Sequence, residues 1–220
     1  MRESYETIER EGFVGKIFQD DCDFETPRDW DNLGKMICWT KRYNLGDVKL
    51  LENYSESKEC RLSNLTEYCN GWDEIEEVLK KEFGAVVILP LFLYDHSGLS
   101  MRTYSHGQHA GWDGGYVGFI YATKADILKE YSVKRITKAL KEKVEKSLEG
   151  EVKIYSQYLE GDVYSFTVEE LDCDGEGEVV ESCGGFYGME SAKEEMNSQI
   201  DWLVKNRKEN LKHTEALVLG

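Results

Sequence analysis

Proline is scarce in this sequence, and long hydrophobic runs are missing. Two prolines and 20 glycines among 220 residues exclude a Pro/Gly-rich or collagen-like chain. The longest apolar run, AVVILPLFLY at 85–94, is about half of the roughly 20 residues that a spanning helix needs. The start, MRESYETIEREGF, carries acids early and has no apolar h-region, so no secretory signal is expected there. A cytoplasmic chain follows as the expectation. Cys22, Cys38, Cys60, Cys69, Cys173 and Cys183 contain no CxxC pair. That argues against a zinc ribbon or a dithiol redox motif, and reduced thiols are expected.

Basic residues are also few. Lys and Arg number 27 against 43 Asp and Glu, a formal charge of −16. Such a chain repels nucleic acid and suits a basic partner. Hydrophobic residues at 40% are enough for a core, and the length suits one domain over 1–220. The ends, 1–13 and 207–220, read as frayed, and 47–70 reads as a loop-rich insertion.

Between these, patterning places several elements. Strands are predicted at 15–19, 35–41, 116–123, 162–170 and 178–187. The apolar run 85–94 predicts a strand buried on both faces, with a bulge or edge position near Pro90. Ile75, Val78, Leu79 and Phe83 have helical spacing, closed by Gly84. Thr123 and Asp126 resemble a capping box ahead of a short helix. A longer helix carries Leu140, Val144, Leu148, Val152, Tyr155 and Leu159, and a last one carries Ala192, Met196, Ile200, Leu203 and Val204. The order implies an α+β fold: a mostly antiparallel sheet of about five strands with three or four helices packed on it.

Several segments stand out together: PRDWDNLG (27–34), RYNLGD (42–47), LYDHSG (93–98), WDGGYVGFIY (112–121), GEVKIYSQYLEGDVYSF (150–166) and SCGGFYG (182–188). Their order and spacing resemble an uncharacterised family of small proteins carried by bacteriophages and related mobile elements. The resemblance implies such an origin, and with it the cytoplasm of an infected or host bacterium. It brings no activity and no catalytic residues. The sequence departs from the family pattern between Gly98 and Trp112, where the family has no fixed histidines.

Candidate chemistry falls in two places. Asp95, His96, His106, His109 and Asp113 combine imidazoles and carboxylates that suit a divalent metal and, through a metal-bound water, hydrolysis or ligand binding. The plainer reading is a glycine-rich loop that contains histidines. A Ser–His–Asp triad from Asp95, His96 and Ser97 is excluded, because consecutive side chains of extended backbone point apart. The second place is the acidic surface. Asp20, Asp21, Asp23, Asp29 and Asp31, with Asp172, Asp174, Glu176 and Glu178, could imitate a phosphate backbone. Trp30, Tyr104 and Trp112 are the candidate aromatic anchors. Asp29, Trp30, Asp31 and Asn32 also fit a purely structural turn. DCDGEGE (172–178) lacks the glycine and glutamate positions of a calcium loop and reads as a hairpin tip.

The leading expectation is a phage-encoded acidic inhibitor without catalytic residues or a cofactor. It would bind a host defence protein, of anti-CRISPR or anti-restriction type, and occlude its basic nucleic-acid-binding surface. No direct contact with nucleic acid or membrane is expected. The alternative is a metal-dependent hydrolase or small-ligand binder on the Asp95–Asp113 loop.

Overall fold

The computed structural model describes residues 3–20, 25–40, 42–47, 58–96, 98–104 and 115–219. In chain order the elements are β1 (Glu6–Arg10), β2 (Phe13–Gln19), a 3₁₀ turn (Pro27–Asp29), β3 (Lys35–Cys38), α1 (Lys58–Ser63), α2 (Leu65–Tyr68), α3 (Trp72–Glu82), β4 (Ala85–Asp95), β5 (Leu99–Thr103), β6 (Gly115–Thr123), α4 (Lys124–Glu130), α5 (Lys138–Glu160), β7 (Val163–Leu171), β8 (Gly177–Tyr187) and α6 (Met189–Leu219). The fold is α+β, as patterning predicts. Its strands form two antiparallel sheets of four, with six α-helices among the described residues, rather than one sheet of about five. The chain divides into two compact units, one of residues 1–24 and 161–220, the other of 25–160.

In the 25–160 unit the strand order is β3-β6-β4-β5. Alternation along β4 sends Val87, Leu89, Leu91 and Leu93 to one face, where they meet Ile127 of α4 and Val144, Leu148, Val152 and Tyr155 of α5. Ala85 and Ile88 join the opposite cluster with Leu62, Leu65, Ile75 and Leu79. The sheet is therefore covered on both faces, which is why β4 reads as continuously apolar. Burying each such Leu or Ile is worth about 1.5–3 kcal/mol. Pro90 sits beside a register shift between Leu91 and Phe92, and pairing with β5 begins only at Leu91. A donor missing at Pro90 leaves no gap there.

Two devices of the sequence are present. Thr123 Oγ1 accepts from Asp126 N at 3.2 Å and donates to the Asp126 carboxylate at 2.6 Å, capping α4. Gly84, at φ +71°, turns the chain after α3. At Gly118 an added Cβ would lie 1.9 Å from the Ile37 carbonyl oxygen. Only glycine lets β3 and β6 approach as they do.

The other unit orders its strands β1-β2-β7-β8. Helix α6 lays Ala192, Met196 and Ile200 on Phe13, Ile17, Phe166 and Val168. Gly15 allows this approach, since a Cβ there would sit 2.6 Å from Met196 Sδ. Part of the expected frayed N-terminus is β1, and α6 continues as helix through most of 207–220. Within 47–70, residues 58–68 form α1 and α2, and Leu62 and Leu65 are buried. No helix among the described residues is long and apolar enough to cross a membrane.

Candidate functional site

The most acidic part of the described chain is the β7–β8 hairpin. No lysine or arginine occurs between Lys153 and Lys193. Within that stretch stand Glu169, Glu170, Asp172, Asp174, Glu176, Glu178 and Glu181. The tip is built locally. Asp172 accepts from Asp174 N and Glu176 N, both at 2.9 Å, and its own N–H donates to Glu176 O at 2.9 Å. Gly175, at φ +80°, completes the turn. Asp172, proposed from sequence as a binding residue, is thus first a turn former.

The remaining carboxylates divide by neighbour. Glu169 takes Lys16 Nζ at 2.7 Å, and Glu170 takes Arg207 Nη2 at 2.5 Å. Asp174, Glu176, Glu178 and Glu181 are exposed. Glu170 and Glu178 are direct cross-strand partners, an arrangement in which like charges oppose each other and cost stability. With Asp172, Glu176, Leu171 and Val180 they border a shallow hollow of about 390 Å³.

The acids around 20–31 behave differently. Asp20 accepts from Gly185 N at 3.3 Å, an anchoring role. Asp21 and Asp23 lie outside the described residues. Asp29, Trp30 and Asp31 are exposed, Trp30 by 48%. Asn32 holds their loop by donating to Pro27 O and Trp30 O.

Arg28, which sequence reasoning passed over, is buried in the same loop. Its Nε and Nη2 grip both Asp47 oxygens at 2.6 and 2.9 Å. Nη1 reaches Glu151 at 2.9 Å, and Nη2 also donates to Gly34 O at 2.6 Å. Asp47 further accepts from Met36 N at 2.7 Å, and Glu151 from Leu33 N and Gly34 N at 3.0 and 3.1 Å. Burial alone would lower the Arg28 pKa, but Asp47 and Glu151 together outweigh it and raise it. Burial pushes the neighbouring Cys38 thiol up to about 12, and the Tyr155 phenol likewise to about 12. This cluster draws together residues from PRDWDNLG, RYNLGD and GEVKIYSQYLEGDVYSF. Among the described residues no buried side-chain polar atom lacks a partner. The motifs that looked functional therefore meet in a satisfied structural knot.

The proposed metal group is represented by Asp95 and His96 alone, at the end of β4 and just beyond it. Asp95 is engaged by cation and phenol: Arg42 Nη1 at 2.5 Å and Tyr43 OH at 2.7 Å. The hydrogen bond to Asp95 raises the Tyr43 pKa. His106, His109, Asp113 and the anchor Trp112 lie outside the described residues. Among the described residues no three His, Cys, Asp or Glu side chains are grouped to hold a metal. Tyr104 is half-buried rather than a free anchor: its ring packs on Phe92 at 5.5 Å and its hydroxyl meets that of Tyr94 at 3.0 Å. It belongs to an aromatic cluster in which Trp72 stacks on Tyr116 at 4.3 Å.

No family model matches this chain, and no match is found among curated proteins or solved structures.

Proposed function

We propose that the protein is a phage-encoded acidic inhibitor whose β7–β8 hairpin occupies the basic nucleic-acid-binding surface of a host defence protein. The origin and the defence role rest on the motif resemblance. The hairpin's charge carries the binding mode. Alternate positions 170, 172, 174, 176 and 178 are all acidic. Asp172, Asp174 and Glu176 lie in the turn between the strands, and Glu170 and Glu178 face each other across its base. The opposed Glu170 and Glu178 favour this reading, since local rules are broken most often where function requires it.

The test is capture followed by displacement. Tagged protein is incubated with nuclease-treated bacterial lysate, and the retained partner is purified and loaded with labelled DNA or RNA. The expected result is a partner released as salt rises, because exposed charge pairs are screened over about 10 Å at 0.1 M. Adding the acidic protein should displace the nucleic acid. A partner that keeps its nucleic acid while bound, or no partner at all, would overturn the proposal.

A further inference from the structure

Two four-stranded sheets have four edges, and an unpaired edge offers a row of backbone donors and acceptors to any other chain. Three of these edges are blunted by the protein itself. Beside β3, Gly46 bridges Ile37, Asp47 N donates to Met36 O at 2.8 Å, and the Asp47 carboxylate takes Met36 N. At β5, Met101 N donates to Ser156 Oγ of α5 at 2.9 Å. Strand β1 has five residues, three of them charged, with Glu6 paired to Lys193 and Arg10 to Asp201.

The fourth edge differs. Strand β8 is eleven residues long, with a register shift at Val180, and 177–184 are exposed on both sides of that shift, consecutive residues alike. Both faces of this stretch are therefore open to solvent. Val179 and Val180 are 55% and 38% exposed. Among the described residues only β7 pairs with β8.

We propose that the outer edge of β8, over 177–184, receives an extended basic segment of a partner protein as a fifth strand. This rests on the function proposed above and specifies how the partner is held. Main-chain hydrogen bonds would supply affinity and alternate side chains specificity. Charge selects the occupant. A second copy would bring Glu178 and Glu181 against another acidic edge, and like charges opposed across strands are destabilising. A segment of about eight residues spans about 26 Å. The register shift at Val180 brings Glu178 and Glu181 to one face, opposite Glu170 and Val168. Lysine or arginine at alternate positions of the segment would therefore face both carboxylates, with small apolar residues between them on the face of Val179.

The experiment uses the full chain and two cationic peptides of about eight residues, alternating lysine with valine. One has free amides. The other is N-methylated at alternate residues, which keeps its charge but removes donors from one edge. Affinity is read by titration, and protection by hydrogen exchange at the β8 amides. The free peptide is expected to bind at least about tenfold more tightly, a difference of about 1.4 kcal/mol, and to slow exchange within 177–184. Equal binding without protection would end strand addition while leaving the acidic-surface reading intact. Binding by neither peptide would remove both. Protection of β8 that grows with protein concentration alone would identify a second copy as the occupant and overturn the proposal.

Discussion

The carboxylates of Asp47 and Glu151 and those of the β7–β8 hairpin have opposite surroundings. The first pair sits around a buried guanidinium, every oxygen turned toward an N–H. At the hairpin, Asp174, Glu176, Glu178 and Glu181 stand in solvent, and Glu178 opposes another acid. A net charge of −16 thus does two jobs. Where acids meet a cation inside the fold, they hold distant segments together. Where Glu178 opposes Glu170 across the exposed hairpin, like charges cost stability, and the proposed partner would offset that cost.

Substitutions can sharpen that contrast. The largest effect is expected for Arg28→Ala, which leaves two carboxylates inside without their cation. Such a loss costs about 3–5 kcal/mol, measurable as a lowered urea midpoint. Arg28→Lys should recover part of it, since an ammonium cannot bridge both acids as a fork does. Next comes Gly118→Ala. Its methyl group would meet the Ile37 carbonyl, and forcing β3 away from β6 should cost about 1–3 kcal/mol. Hydrogen exchange should then speed up in β3.

Alkaline pH probes the same knot more gently. Cys38 rises from its ordinary 9.0 to about 12 when buried, and Tyr155 and Tyr121 from 10.0 to about 12. For raised groups, the stabilising contribution is complete below the unfolded value and fades as pH climbs through the folded one. Stability should therefore fall between about pH 9 and 12, and Cys38→Ala should make that fall shallower. If urea midpoints at pH 9 and pH 11 coincide, this burial argument fails.

Much of the fold was legible because its signals are local. The four-residue spacing of Val144, Leu148 and Val152, the continuous run of β4, and the punctuation at 172–178 each lie within one segment. Strands β1 and β5 were missed because each buries very little. ETIER has no fully buried residue, and LSMRT has one, Met101. The division into two sheets was hidden for another reason. Strand β2 pairs with β7, some 150 residues on, and nothing in either strand names its partner. The Arg28 knot was hidden for the same reason. A buried arginine is spelled like an exposed one, and its carboxylates lie 19 and 123 residues away. PRDWDNLG drew attention to Asp29, Trp30 and Asp31, whereas the residue that organises the segment is the arginine beside them.

The smallest change in stability should accompany the largest change in binding. Combining Asp174→Lys, Glu176→Lys and Glu178→Lys reverses the hairpin without touching its turn-forming Asp172. Measuring the urea midpoint of this variant alongside its salt-sensitive retention of the captured partner tests the account most directly. The unfolding free energy read from that midpoint should stay within about 0.5 kcal/mol of the parent protein, as surface substitutions usually do, while retention is lost. Retention at full strength, or a stability loss as deep as that of Arg28→Ala, would contradict the assignment of these carboxylates to binding.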